Sequence, residues 1–143
     1  VCTSDALQAE TRDAVRDRLL DAHRPVLERA LSCADAVAAG WDGETTTDRD
    51  AVVDPYRTTL ARADLPEPLV RALADAVAAA GGDLAARPVP DVPYLAVTSR
   101  GVVLRAPIES GRLVVTLAAF EIDPYRRGSA LPDALTVEHR HSP

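Results

Sequence analysis

The side chains best suited to hold a charged ligand are arginines and a tyrosine late in the chain. Tyr125, Arg126 and Arg127 are consecutive, and Arg105 lies upstream within an apolar run. A guanidinium can donate two parallel hydrogen bonds to a carboxylate or phosphate, and a phenol can add another. If Arg105 folds against the other three, they form a binding site for an anionic small molecule. In an acidic chain, pairing of these arginines with neighbouring carboxylates is the alternative.

The tetrapeptide Asp-Pro-Tyr-Arg occurs twice, at Asp54–Arg57 and at Asp123–Arg126. Each copy could place a phenol and a guanidinium just after a turn. Asp-Pro is also a common way to end one element and begin the next, and the residues that flank the two copies differ. We therefore interpret the pair as turn chemistry rather than as an internal repeat.

The histidines, acids and cysteines do not form a recognised metal or catalytic site. His139 and His141 share a face if they lie on a strand, but two imidazoles are too few ligands for zinc. The acids after Trp41 lack the spacing of a calcium-binding loop. Cys33 falls on the apolar side of a predicted helix, as a small core residue would. No nucleophile elbow, P-loop or dinucleotide fingerprint is present. We expect no metal, no cofactor and no catalytic residue.

Amphipathic helices are predicted to fill the first half of the chain. Apolar residues three, four and seven apart indicate a helix over about 5–39, with a kink or break near His23 because Pro25 lies inside it. Residues 41–50 read as a loop, which Trp41 anchors. Asp54-Pro55 is predicted to open a helix to about Ala63, and another runs from about Leu65 to Ala80. Residues 87–93 are predicted to form a proline-rich connector.

Beyond the connector the apolar period changes to two, which indicates strands separated by glycine-bearing turns. The predicted strands are Tyr94–Ser99, Val102–Ile108 and Arg112–Ile122, with Ala134–Arg140 as a fourth at the edge. Helices first and strands after define an α+β fold, with N-terminal helices packed on a C-terminal antiparallel β-meander of three or four strands. We expect a single domain over 1–143, with its helical part at about 5–82 and its strand part at about 93–140.

Alternation along these strands predicts two faces, and both are apolar. Leu104 and Val114 fall on the face that the helices cover. The second face carries a candidate interface, formed by Tyr94, Val103, Leu113, Val115 and Leu117. An apolar patch of this kind is typical of an interaction surface, and a two-fold dimer uses one patch twice. A helix that covers the second face is the alternative.

Charge and cysteine usage limit the partners and the compartment. The chain has 143 residues, with 16 arginines and no lysine against 22 acids, for a net charge of -6. This balance disfavours nucleic acid as a partner. No apolar run is long enough to span a bilayer, and no signal-peptide pattern is seen, so we expect no membrane partner. Two cysteines fit the reducing cytoplasm.

The balance between residue types points to a salt-rich habitat. Asp outnumbers Glu 15 to 7, Arg replaces Lys, and Met is absent. In composition and general layout, though in no motif, the chain resembles small haloarchaeal proteins of unknown function. The resemblance implies a salt-rich cell interior, where the salt screens the repulsion between carboxylates on the protein. A GC-rich bacterium, whose codon usage favours Ala, Arg, Asp and Pro, is the alternative source.

The sequence leaves the function unknown and supports two hypotheses. The first is a non-catalytic intracellular protein-interaction domain that homodimerises through its sheet or binds another protein. The second is an anion-binding protein or an enzyme that uses Arg105, Tyr125, Arg126 and Arg127.

Overall fold

Four α-helices occupy the N-terminal side of the protein. The computed structural model describes residues 2–82, 84, 89–90, 94–108 and 111–140, with side chains from residue 9 onward. The helices are α1 (Cys2–Ala22), α2 (Arg24–Ala39), α3 (Val53–Arg62) and α4 (Pro66–Ala79). The predicted break lies at His23, because Pro25 occupies the first turn of α2, where its missing N–H costs no hydrogen bond. Helix α3 begins at Val53, one residue before the predicted Asp54 cap.

An antiparallel sheet follows the helices, which confirms the α+β fold. Its strands run in the order β1 (Leu95–Val97), β2 (Gly101–Ile108), β3 (Gly111–Ala118) and β6 (Leu135–Arg140). A separate two-stranded hairpin pairs β4 (Phe120–Glu121) with β5 (Arg126–Arg127). The strand predicted over 112–122 is therefore divided. The Ala119 N–H donates to the Leu117 carbonyl at 3.0 Å, and this tight turn takes the chain out of the main sheet.

The register of β2 against β3 decides which side chains face the helices. Leu104 pairs with Val115, and Val102 pairs with Leu117. Ile108 pairs with Gly111, so the loop between the strands has two residues instead of the predicted three. A change of one residue in a turn moves every side chain of the following strand to the opposite face.

The predicted second face is therefore wrong for β3. Leu113, Val115 and Leu117 belong to the hydrophobic core, and Val114 lies on the outer face instead. Three of the five predicted interface residues are thus unavailable to a partner. Tyr94 is half-buried beside β2, where its carbonyl accepts a hydrogen bond from the Arg105 N–H at 2.9 Å.

The helices cover the other face and enclose one hydrophobic cluster that includes side chains from all four of them and from the sheet. Helix α1 lies against β6, where Arg16 donates hydrogen bonds to the carbonyls of Leu135 and Pro132 at 3.2 and 3.0 Å. Tyr56 is fully buried and donates to the Ala30 carbonyl at 2.9 Å, which joins α3 to α2. The sheet therefore has one dry face and one outer face.

The outer face mixes a small apolar centre with charged side chains. Val103 and Val114 are 9% and 7% exposed, and both lie outside the hydrophobic cluster of the covered face. The polar side chains on the same face are Arg105, Arg112, Thr116, Thr136, Glu138 and Arg140. In the part of the chain that the structure describes, none of the helices combines the length and the apolar character that crossing a bilayer requires.

Candidate functional site

A cavity of about 460 Å³ lies where the end of α2, the loop after it and strand β5 meet. Asp35, Ala38 and Ala39 contribute from the last turns of α2, where spacings of three and four residues place them on one side of the helix. The loop contributes residues 43–45, and β5 contributes Arg126 and Arg127. The site is therefore assembled from two distant parts of the chain, residues 35–45 and strand β5.

The loop is fixed against β5 by hydrogen bonds and by its tryptophan. Thr46 and Tyr125 exchange two backbone hydrogen bonds, of 3.0 and 2.8 Å. The Trp41 indole N–H donates to the Ala51 carbonyl at 2.9 Å, and its ring lies 5.9 Å from that of Phe120. These contacts confirm the predicted anchoring role of Trp41.

Arg127 connects β5 to α2. Its Nε donates to Asp35 Oδ1 at 2.6 Å, and its Nη1 donates to the Ala119 carbonyl. The Arg127 side chain is 23% exposed, so this ion pair is partly shielded from water. Because Nε and Nη1 each bond to a different part of the protein, Arg127 acts mainly as a link between α2 and the chain beside β5.

Arg126 is the freer of the two arginines. Its side chain is 51% exposed, and its nearest ionic contact is a cross-strand one, 3.7 Å from Glu121. Such a loose, solvated pair contributes little to stability, about 0–1 kcal/mol. The Arg126 guanidinium therefore remains able to bind an anionic group that enters the cavity.

The structure brings together part of the predicted anion site. Arg126 and Arg127 line the cavity, and Tyr125 holds the adjoining loop through its backbone. Arg105 does not join them, because it lies in the middle of β2 on the outer face of the main sheet.

Sequence reasoning did not find the opposite wall, formed by Asp35, Glu44 and Thr45. Glu44 lies in the predicted 41–50 loop, and most residues of that loop are exposed. Nothing in the sequence signals that this loop closes over an arginine pair, because the two are joined only by the tertiary fold.

The two Asp-Pro-Tyr-Arg copies occur in different structures, which confirms the turn interpretation. In the first copy, Arg57 pairs with Asp54 at 2.9 Å in the opening turn of α3. Tyr56 is buried edge-on against Phe120, with ring centroids 5.2 Å apart, and burial raises the pKa of its phenol. The second copy forms the turn from β4 into β5, where Asp123 has a φ of 59°. Only the second copy reaches the cavity.

A second charged cluster lies at the junction of α1, α2 and α4, beside a cavity of about 360 Å³. Asp75 accepts hydrogen bonds from Arg18 at 2.8 Å and from His23 at 2.6 Å. The bond from Arg18, followed by that from His23, lowers the pKa of Asp75 to about 2. The residues that line this cavity include no hydroxyl and no thiol. The two hydrogen bonds join Asp75 of α4 to Arg18 of α1 and to His23 between α1 and α2, so the cluster acts as a clamp that holds the helix junction to α4.

The remaining candidates from the sequence lie apart from both cavities. The Cys33 thiol is buried against α3, 3.9 Å from the Thr59 carbonyl, and burial raises its pKa, which disfavours a nucleophilic thiolate. His139 lies on the covered face of β6, opposite Leu113, and His141 is outside the described residues. Among the residues described, no group of three or more His, Cys, Asp and Glu side chains is placed to hold a metal ion.

The fold and the cavity define a small α+β domain with helices on one face of an antiparallel sheet and an open, charged cleft beside it. The chain belongs to the family described as a domain of unknown function, DUF7988, whose sequence model matches residues 13–140. No match to the chain was found among curated proteins or among solved structures.

Proposed function

We propose that this domain binds a small molecule with an anionic group, in the cavity between α2, the 43–45 loop and β5. The observation that carries the proposal is that Arg126, which is only loosely paired with Glu121, lines one concave site of about 460 Å³. Small-molecule sites in proteins commonly have volumes of about 300–1,000 Å³ and a few well-placed polar groups. The half-exposed guanidinium of Arg126 offers a planar pair of donors for a carboxylate or phosphate.

The test compares the thermal unfolding of the protein in different sodium salts at matched ionic strength. Chloride serves as the reference, and acetate, phosphate and citrate are the probes. An anion present at a hundred times its dissociation constant stabilises the fold by about 2.7 kcal/mol, which raises the melting temperature by roughly 5–10 °C. We expect Arg126→Gln to abolish this shift.

Arg62→Gln is the matched control, because Arg62 is an exposed arginine at the end of α3 that does not line the cavity. It should leave the anion-dependent shift unchanged. If no probe exceeds chloride, or if both variants respond as the parent protein does, the cavity is not an anion site.

A second candidate function, self-association, is favoured by the arrangement of the outer sheet face. Arg105, Val114 and Glu138 lie side by side in one row across β2, β3 and β6, so opposite charges flank an apolar centre. A two-fold axis parallel to the strands would place each Arg105 against Glu138 of a second copy. From strand spacing and rise, this face offers about 400 Å² per copy, which is typical of a weak dimer.

Analytical ultracentrifugation up to about 1 mM protein tests this self-association, since weak pairs need high concentrations. The parent protein should shift from monomer to dimer, and Val114→Arg should stay monomeric. Ala78→Arg, at an exposed position of α4, is the control that should still dimerise. A parent protein that is monomeric throughout refutes the dimer.

We further propose that the domain works in a reducing, salt-rich cytoplasm. The free, buried thiol of Cys33 and the excess of Asp over Glu support this assignment. The dependence of stability on salt, considered in the Discussion, is its test.

A further inference from the structure

The charges that line the cavity have both signs, and this narrows the kind of ligand that it fits. Arg126 and Arg127 form the basic wall, and Asp35 and Glu44 form the acidic one. Of these four, Arg127 and Asp35 are joined by the 2.6 Å ion pair, so they largely neutralise each other. The residues left to interact with a ligand are Arg126 and Glu44.

Glu44 is placed to interact with a positive charge. It lies in the exposed loop that closes the cavity, and among the described residues it takes part in no ion pair. A ligand with only a carboxylate would gain a bond to Arg126 but would bring its charge towards the Glu44 carboxylate. A ligand with an ammonium group as well would be attracted at both ends, since opposite charges a few ångströms apart attract each other even where water reaches them.

We infer that the ligand is a zwitterion of amino-acid size, with its carboxylate at Arg126 and its ammonium group at Glu44. This inference rests on the proposed anion-binding function. Ala38 and Ala39 also line the cavity, and their apolar side chains suit the short aliphatic linker of such a molecule.

The experiment measures dissociation constants by calorimetry for three kinds of probe, at constant ionic strength. Acetate carries the anion alone, and methylammonium carries the cation alone. Glycine, β-alanine and γ-aminobutyrate carry both charges at increasing separation. We expect one of the zwitterions to bind about tenfold more tightly than acetate, because it gains the second charge interaction.

Two variants separate the contributions of the walls. Glu44→Gln should remove the preference for the zwitterion over acetate while leaving acetate binding intact or improved. Arg126→Gln should weaken the binding of both. Glu10→Gln, at an exposed position of α1, is the control that should change neither dissociation constant.

The outcomes distinguish this inference from the function on which it rests. If acetate binds as tightly as every zwitterion and Glu44→Gln has no effect, the ligand is not a zwitterion but the anion site stands. If no probe binds, or if binding is indifferent to Arg126→Gln, both the inference and the proposed function are refuted.

Discussion

Replacing Val114 and Val115 in turn by threonine tests the register of the sheet, on which the assignment of both faces depends. The two residues are neighbours in β3 and are 7% and 1% exposed, so exposure alone barely separates them. They face opposite ways, however. Val115 pairs with Leu104 inside the core, whereas Val114 pairs with Arg105 on the outer face.

The expected cost follows from where the new hydroxyl group goes, because threonine has nearly the shape of valine. A hydroxyl buried without a partner costs about 1–3 kcal/mol, so Val115→Thr should lower the free energy of unfolding by about 2 kcal/mol. At Val114 the hydroxyl can reach water, and threonine suits a strand, so the change should stay within about 0.5 kcal/mol.

Urea titration measures the difference. With an m-value of about 2 kcal/mol/M, Val115→Thr should lower the midpoint by about 1 M, and Val114→Thr should leave it nearly unchanged. The fluorescence of Trp41, which packs against Phe120, reports unfolding together with far-UV circular dichroism. Val137→Thr, on the covered face of β6, should behave like Val115→Thr. If Val114→Thr is the more costly substitution, the register described above is wrong.

Three other perturbations test the clamp, the sheet turn and the habitat. The pKa of Asp75 is about 2 in the fold against an ordinary 3.8, so its stabilisation is complete above about pH 4 and is lost as pH falls through 2. Asp75→Asn should therefore flatten the dependence of the urea midpoint on pH between 4 and 2, and an unchanged profile contradicts the clamp. Gly101 has a φ of 145°, and a Cβ there would lie 2.1 Å from a backbone oxygen of β3. Gly101→Ala should therefore lower the free energy of unfolding by more than about 2 kcal/mol. Gly43→Ala, where a Cβ meets no atom within 4 Å, is the control that should leave the urea midpoint unchanged. The urea midpoint should rise steadily from about 0.1 M to about 3 M KCl as screening increases, and full stability at low salt argues against a halophilic protein.

Local signals made the helices and the strands predictable. Pro25 lacks an N–H and cannot donate the hydrogen bond that would continue α1, so α1 ends just before it whatever the tertiary contacts are. The glycines after α2 and α4 end those two helices. The change of apolar period after the connector marks the strands in the same way. Each helix end and each strand is therefore determined by residues that are close to it in the sequence.

The register was predicted wrongly because β3 is apolar on both sides at its centre. Whether the odd-numbered or the even-numbered residues of β3 face the core, apolar side chains are buried at its centre. Gly111 has no side chain, so it fits equally well as a turn residue or as the first strand residue. The polar residues Arg112 and Thr116 carried the information, because both share the outer face with Val114. The face on which these two polar residues must lie was a better guide to the register than the assumed length of the turn.

The site was predictable on one wall only. Arg126 and Arg127 are adjacent, so the local concentration of positive charge is visible in the sequence. Asp35 is 92 residues away from Arg127, and no local pattern indicates that α2 ends beside β5. Arg105 was grouped with them on residue type alone, and its strand carries it to another face.

The register and the cavity depend on each other through Phe120. If β3 continued without interruption, Phe120 would share the parity of Val114 and Thr116 and would point to the outer face. The turn at Ala119 reverses this and places Phe120 in the core, 1% exposed, against Trp41 and Tyr56. The same turn frees the following chain to form the β4–β5 hairpin beside α2, because the Ala119 carbonyl accepts hydrogen bonds from both Gly128 and Arg127. The break in β3 that buries the aromatic ring is therefore also what brings two arginines close to Asp35 near the end of α2.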